Sequence, residues 1–142
     1  MKTGLTSVTF RQKSVDEIIS LAQKAHLDGI EWGGDVHVPA GDTDTAASVR
    51  EKCIAAGLEI LSYGSYYKAL PDQDFAPVLA SARALGAPMI RIWAGNCTPD
   101  SISEDAFRTL AADIRRAAES ASQFGIAVAL EYHRNTMTQT KE

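Results

Sequence analysis

The chain has 142 residues, 45% hydrophobic and 23% charged, with a formal net charge of −4 and a pI near 5.3. That is enough chain for one ordinary domain with a buried core, and the composition is that of a globular protein. The acidic balance and the lack of any Lys/Arg run exclude the electrostatic footprint of a nucleic-acid binder, and no apolar stretch approaches the roughly 18–20 residues of a membrane span.

The N-terminal MKTGLTSVTFRQK alternates and turns polar by Arg11, so it lacks the continuous apolar core of a signal peptide. It is expected to form β1 over 4–10. Ser14 and Glu17 then make a capping-box pattern ahead of an apolar stripe of Val15, Ile18, Ile19 and Ala22, which predicts α1 over 15–26. His26, at its end, is read as surface structure favoured by the helix dipole. From here a unit repeats: a helix-like stretch, a glycine, then an apolar run. The four copies are AHLDGIEWGG, AAGLEILSYG, ALGAPMIRIWAG and FGIAVALEYH, punctuated by Gly29, Gly57, Gly86 and Gly125. Glycine suits the residue after the last helical turn, where the backbone turns left-handed. A short Ile/Val/Leu-rich run after it suits a strand covered by helices.

This reading gives β2 (28–33), α2 (44–56), β3 (58–64), α3 (74–85), β4 (88–94), α4 (102–123) and β5 (126–132). Pro77 falls within a turn of the expected cap Asp74, where a missing N–H costs little. Ser101 and Glu104 repeat the capping pattern ahead of α4. Cys53 and Cys97 match no CxxC pattern and read as reduced, structural residues of a cytoplasmic protein.

Strands alternating with helices imply right-handed crossovers and a parallel sheet in a single α/β unit over 1–142. Two architectures fit: an open, doubly wound five-stranded sheet, or the first five strands and four helices of a (βα)8 barrel. Length favours the first, since a barrel usually needs about 250 residues. The strand ends favour the second.

In both architectures, ligands bind beyond the carboxyl ends of the strands. This edge is rich in chemistry: Thr9 and Phe10; Glu31, Trp32, Asp35 and His37; Ser62, Tyr63 and Tyr66; Arg91, Trp93 and Asn96; Glu131, His133 and Asn135. The segment after β1, VTFRQKSVDE, has neither a phosphate-binding glycine loop nor paired acidic residues. Arg91 faces either an acidic neighbour inside a barrel or a substrate phosphate.

GIEWGGDVHVP after β2, LSYGSYY after β3, IRIWAG after β4 and ALEYHRNTMT after β5 together resemble the xylose isomerase-like TIM-barrel family, over the whole chain. The resemblance implies a sugar or sugar-phosphate isomerase or epimerase working by proton transfer through an enediolate. It also implies a divalent metal (Mn, Mg, Co or Zn) and a small carbohydrate substrate. Glu131 matches the family's β5 glutamate, a metal ligand and acid/base. Glu31, His37, Tyr63, Trp93 and His133 are the expected pocket residues. The family's β6, β7 and β8 carry further ligands, so the chain is expected to be the N-terminal portion of a longer barrel, or a homo-oligomeric subunit of a composite one. The alternatives are an open-sheet domain binding a small molecule or protein without catalysis, and an endonuclease IV-like phosphodiesterase, which the acidic charge disfavours.

Overall fold

A computed structural model describes residues 1–140 of the chain. Five strands and four α-helices alternate: β1 (Gly4–Thr6), α1 (Val15–Lys24), β2 (Gly29–Gly33), α2 (Thr43–Ala55), β3 (Glu59–Gly64), α3 (Ala76–Leu85), β4 (Met89–Ile92), α4 (Glu104–Ser122) and β5 (Ala127–Leu130). All four strand pairings are parallel, and the sheet order is β1-β2-β3-β4-β5. That order decides between the two architectures. A doubly wound sheet reverses direction at a switch point and carries helices on both faces. Right-handed crossovers that always step the same way place every helix on one face, as in a barrel wall.

The helices start where the sequence supplies caps. Ser14 accepts from Glu17 N–H while the Glu17 carboxylate accepts from Ser14 N–H, completing the capping box of α1. Asp42 caps α2 by accepting from Thr45 N–H. Asp74 accepts from Ala76 N–H at the start of α3, next to Pro77. At α4 the cap is Ser103, which accepts from Ala106 N–H; Ser101 instead closes a 3-10 turn over Pro99–Ser101 with Thr98.

Three expectations are corrected. β1 ends at Thr6, and residues 7–10 curl into a 3-10 turn. The turn carries the Ser7 hydroxyl to Gly33, where it accepts a 2.8 Å bond from the N–H at the end of β2. β5 ends at Leu130 rather than residue 132, although Glu131 N–H still bonds Ile92 O at 3.0 Å. And Gly29 does not terminate α1. His26 takes the left-handed conformation there, with φ of 53°, while Gly29 lies inside β2 because a Cβ would stand 2.4 Å from Glu59 O.

The core lies between the helix layer and one face of the sheet. Ile30, Trp32, Tyr63, Ile90 and Ile92 are fully buried against Ile18, Ala22, Cys53, Ala82 and Leu85. Alternation along each strand sends the intervening residues to the opposite, helix-free face. At β3 the alternation breaks. Ile30 pairs with Ile60 but Glu31 pairs with Ser62, so one extra residue bulges from β3. Leu61 packs on Gly4 and Gly29 of the helix-free face, and Ser62 reaches Glu31 on that same face. Among the described residues, no helix is long and apolar enough to cross a membrane.

Candidate active site at the strand ends

Register places Glu31 beside Ser62, Gly64 beside Arg91, and Arg91 beside Ala129, two residues before Glu131. These residues share the helix-free face near the carboxyl end of the sheet. They form one continuous polar cluster. Glu31 accepts from the Ser62 hydroxyl at 2.6 Å, the Thr6 hydroxyl at 3.2 Å and Arg91 Nη2 at 3.1 Å. The other guanidinium arm, Nη1, bonds Glu131 Oε2, which also accepts from Trp93 Nε1 at 2.5 Å. Arg91 thus bridges a carboxylate from β2 and one from the end of β5. Of the two partners left open for it, the acidic neighbours are the ones present.

The small residue at 64 is required here. A Cβ on Gly64 would stand 2.6 Å from Arg91 Nη2 and 3.1 Å from Glu31 Oε1. Two carboxylates against one guanidinium leave a net negative cluster. Burial pushes the Glu31 carboxyl up, but hydrogen bonds from Ser62 and Arg91 and the guanidinium charge outweigh it, holding Glu31 below its ordinary value. Burial also opposes the charge on Arg91, and Glu31 more than offsets that, so Arg91 is held firmly cationic.

An aromatic wall continues the cluster outward. The His133 ring stacks on Trp93, centroids 4.4 Å apart and 22° between planes. Tyr66 meets Trp93 edge-on at 5.5 Å, and Lys68 Nζ sits 5.1 Å from the Trp93 ring centre. His133 Nδ1 lies 2.7 Å from Arg134 O. A carbonyl only accepts, so Nδ1 carries a proton. The segment after β5 is pinned by Met137 N–H to Ala94 O and by the Thr138 hydroxyl to Glu131 O at 2.6 Å.

Of the expected site residues, Glu31, Trp93, Glu131 and His133 come together. Two do not. Tyr63 lies on the helix-covered face, fully buried, with its hydroxyl donating to Val38 O at 2.8 Å and its pKa pushed up to about 12 by burial. The β3 bulge sends it there, and Ser62 takes the inward place. His37 is buried beneath the 3-10 turn, with Nδ1 3.0 Å from the Ser7 hydroxyl and Nε2 3.1 Å from Lys13 O. Both ring nitrogens are thereby occupied. Ser62, one of the strand-end residues, belongs to the cluster, as does Thr6, which lacks a signal of its own since small hydroxyl residues occur throughout the chain.

A divalent metal is tested by the donors present. Among the described residues no hydrogen bond reaches Glu131 Oε1, which fits one ligand. No group of three His, Cys, Asp or Glu among them is placed to hold a metal ion, so this part of the chain does not form a complete site.

Several solved structures share the fold. AsbF of Bacillus anthracis, described as a probable 3-DHS dehydratase involved in petrobactin synthesis, superposes with a TM-score of 0.81 at 24% identity, over 97% of this chain and 54% of its own. The IOLI protein with a bound zinc atom gives 0.72 at 17% identity, over 96% and 54%. A xylose isomerase domain protein of Alicyclobacillus acidocaldarius gives 0.69 at 20% identity, over 96% and 53%. The chain therefore spans about half the length of these structures. A search of curated proteins gives no match. The model of one family, described as the xylose isomerase-like TIM barrel, matches residues 19–142. With five parallel strands in sequential order and the strand-end cluster in register, this chain belongs to the xylose isomerase-like TIM barrel family.

Proposed function

We propose that these residues form one wall of the active site of an isomerase or epimerase that moves a proton on a carbon adjacent to a carbonyl in a small polyhydroxylated substrate. The observation that carries this reading is Glu131: the first residue beyond β5, it turns one oxygen to Arg91 and Trp93 and leaves the other without a hydrogen bond among the described residues. A carboxylate so oriented suits a base or a ligand. The stacked Trp93 and His133 offer an apolar face to a sugar ring and a hydrogen-bonding nitrogen at its edge.

A divalent metal in this barrel would take Glu131 as one ligand, with the rest from strands beyond these residues. Bound, it would polarise the substrate oxygens and stabilise the enediolate. The family includes proteins described as isomerase-like and as a dehydratase. Both outcomes begin with the same proton abstraction: reprotonation gives an isomer, and loss of a neighbouring hydroxide gives an alkene. The net negative charge of the cluster favours a neutral polyol over a strongly anionic substrate, unless Arg91 turns from a glutamate to the anion.

The test is exchange of the substrate's α-proton with deuterium oxide, in a barrel carrying these 142 residues with the remaining strands. Glu131→Gln is expected to slow exchange about a hundredfold or more, the size of a general acid–base contribution. Undiminished exchange and unchanged metal content in that variant would refute the assignment.

A further inference from the structure

The loops after β1, β2 and β3 are tied together at the mouth of the sheet by side chains outside the Glu31–Arg91–Glu131 cluster. Arg11, from the first loop, uses all three of its guanidinium nitrogens there. Nε donates to Asp35 Oδ2 at 2.7 Å, Nη1 to Val8 O at 2.9 Å and Nη2 to the Tyr66 hydroxyl at 2.5 Å. A guanidinium only donates, so the phenol must aim its single proton elsewhere. It gives that proton to Asp35 Oδ2 at 3.0 Å. The other oxygen of Asp35 accepts from Val36 N–H at 2.9 Å. Three side chains from three loops thus close a ring in which each is bonded to the other two.

An exposed ion pair contributes little when its side chains stay mobile, and half of the Arg11 side chain faces water. Here the fork and the shared phenol restrict that motion. Burial opposes the charge on Asp35, but the bonds from Arg11 and Tyr66 outweigh it and hold the carboxyl below its ordinary value. Burial and the Asp35 carboxylate push Tyr66 up, so the phenol keeps its proton. The sheet itself does not depend on this brace: β1, β2 and β3 are joined by their own ladders, and Gly34 N–H bonds Gly64 O at 2.9 Å just beyond them. What the brace fixes is the ring of Tyr66. That ring meets Trp93 edge-on, centroids 5.5 Å apart and 69° between planes. Trp93 Nε1–H in turn donates to Glu131 Oε2, on the residue whose other oxygen is open. A line of contacts therefore runs from Arg11 through Tyr66 and Trp93 to Glu131. His133 also lies on the indole, but its ring bonds no further than Arg134 O.

We propose that Arg11 and Asp35 are positioning residues for the site: by locking Tyr66 they fix the indole of Trp93, and with it the direction in which Glu131 presents its open oxygen. This rests on the reading of Glu131 as base or ligand. Neither residue touches Glu131, yet a displacement of about 1 Å at a reacting group can cost about a hundredfold in rate.

The chain has two tryptophans, and Trp32, buried on the helix-covered face, is an internal reference for the indole N–H resonance of Trp93. Arg11→Gln and Tyr66→Phe, which keeps the ring, are each expected to shift the Trp93 resonance and leave that of Trp32 in place. The double variant should shift it no further, since both changes cut one line of contact. Arg11→Lys, which keeps the charge and loses the fork, is expected to behave as Arg11→Gln does. In a barrel carrying these residues with the remaining strands, both single variants should slow α-proton exchange by about tenfold or more at saturating substrate, with KM little changed. An unmoved Trp93 resonance, shifts that add in the double variant, full recovery by Arg11→Lys, or undiminished exchange would each overturn the proposal. Absence of exchange in the unaltered barrel would instead refute the reading of Glu131, and the resonances would then decide by themselves whether the brace holds the indole.

Discussion

On the helix-covered face of the sheet stand Ile30, Trp32, Tyr63, Ile90 and Ile92, all fully buried. One residue along the same strands, on the other face, stand Glu31, Ser62, Arg91 and Trp93. The first set is held by exclusion of water and close packing, and each member is replaceable by another apolar group of similar volume. The second set is held by charge and hydrogen bonds, where each group is fixed by the identity of its partners. Substitutions on the two faces should therefore fail in different ways: a cavity that pH cannot repair on one, an unpaired charge that pH or a second substitution does repair on the other.

The largest effect is expected on the packed face. Trp32→Ala empties a fully buried site and should cost about 3–5 kcal/mol, read as a fall in the urea midpoint at every pH where the chain folds. On the polar face, Arg91→Leu should cost about 2 kcal/mol at neutral pH, less than a fully buried pair because the side chain is 20% exposed. The distinguishing sign is rescue. Adding Glu31→Gln to Arg91→Leu should recover a good part of that loss, and Arg91→Leu/Trp32→Phe should recover none. Loss of the same size with and without Glu31→Gln would mean that Arg91 acts by packing alone.

The two faces were also unequally legible in the sequence. The packed face follows from runs such as LDGIEW and APMIRI, where apolar residues after a helix and a glycine mark each strand, and the strand order then needs only the handedness of the crossovers. The cluster was partly legible, because Glu31, Trp93, Glu131 and His133 lie at strand ends and carry unusual chemistry for such positions. Tyr63 was misplaced for a definite reason. Counting by twos from Glu59 through Leu61 puts Tyr63 inward, and the bulge that pairs Glu31 with Ser62 reverses the count. Nothing in LEILSYG announces a bulge. His37 misled in another way. Its sequence position, close after β2, suits a site residue, but the loop folds it under the 3-10 turn, where Ser7 and Lys13 occupy both nitrogens. Only the end of β1, which departs from its extended run at Ser7, makes that burial possible.

Acid sharpens the comparison with a smaller effect. In the folded chain Glu31 is held below the ordinary value of 4.5, because Ser62 and Arg91 outweigh the cost of burial. Its stabilising contribution is therefore complete above that ordinary value and is lost as the pH falls through the depressed folded one. The urea midpoint of the unaltered chain should drop between neutral pH and about pH 3 by more than that of Glu31→Gln. Trp32→Ala should show the same acid drop as the unaltered chain, since it leaves the cluster intact. Parallel acid profiles for the unaltered chain and Glu31→Gln would mean that Glu31 titrates alike folded and unfolded.

The smallest effect tests whether the aromatic wall belongs to the packed regime or the polar one. His133 stacks on Trp93 but is only half-buried, and its Nδ1 bond reaches no further than the neighbouring carbonyl of Arg134. Stacking of this kind is worth about 0.5–1.5 kcal/mol beyond burial, so His133→Ala should cost no more than about 1 kcal/mol, and His133→Phe, which keeps the ring, less still. Stability would thus barely separate the two variants, whereas the indole resonance of Trp93 should shift in His133→Ala and stay near its original position in His133→Phe. If both variants were destabilised alike, beyond what a lost stack explains, the imidazole nitrogens would be holding the segment after β5 in place, and His133 would belong with the structural histidines, as His37 does.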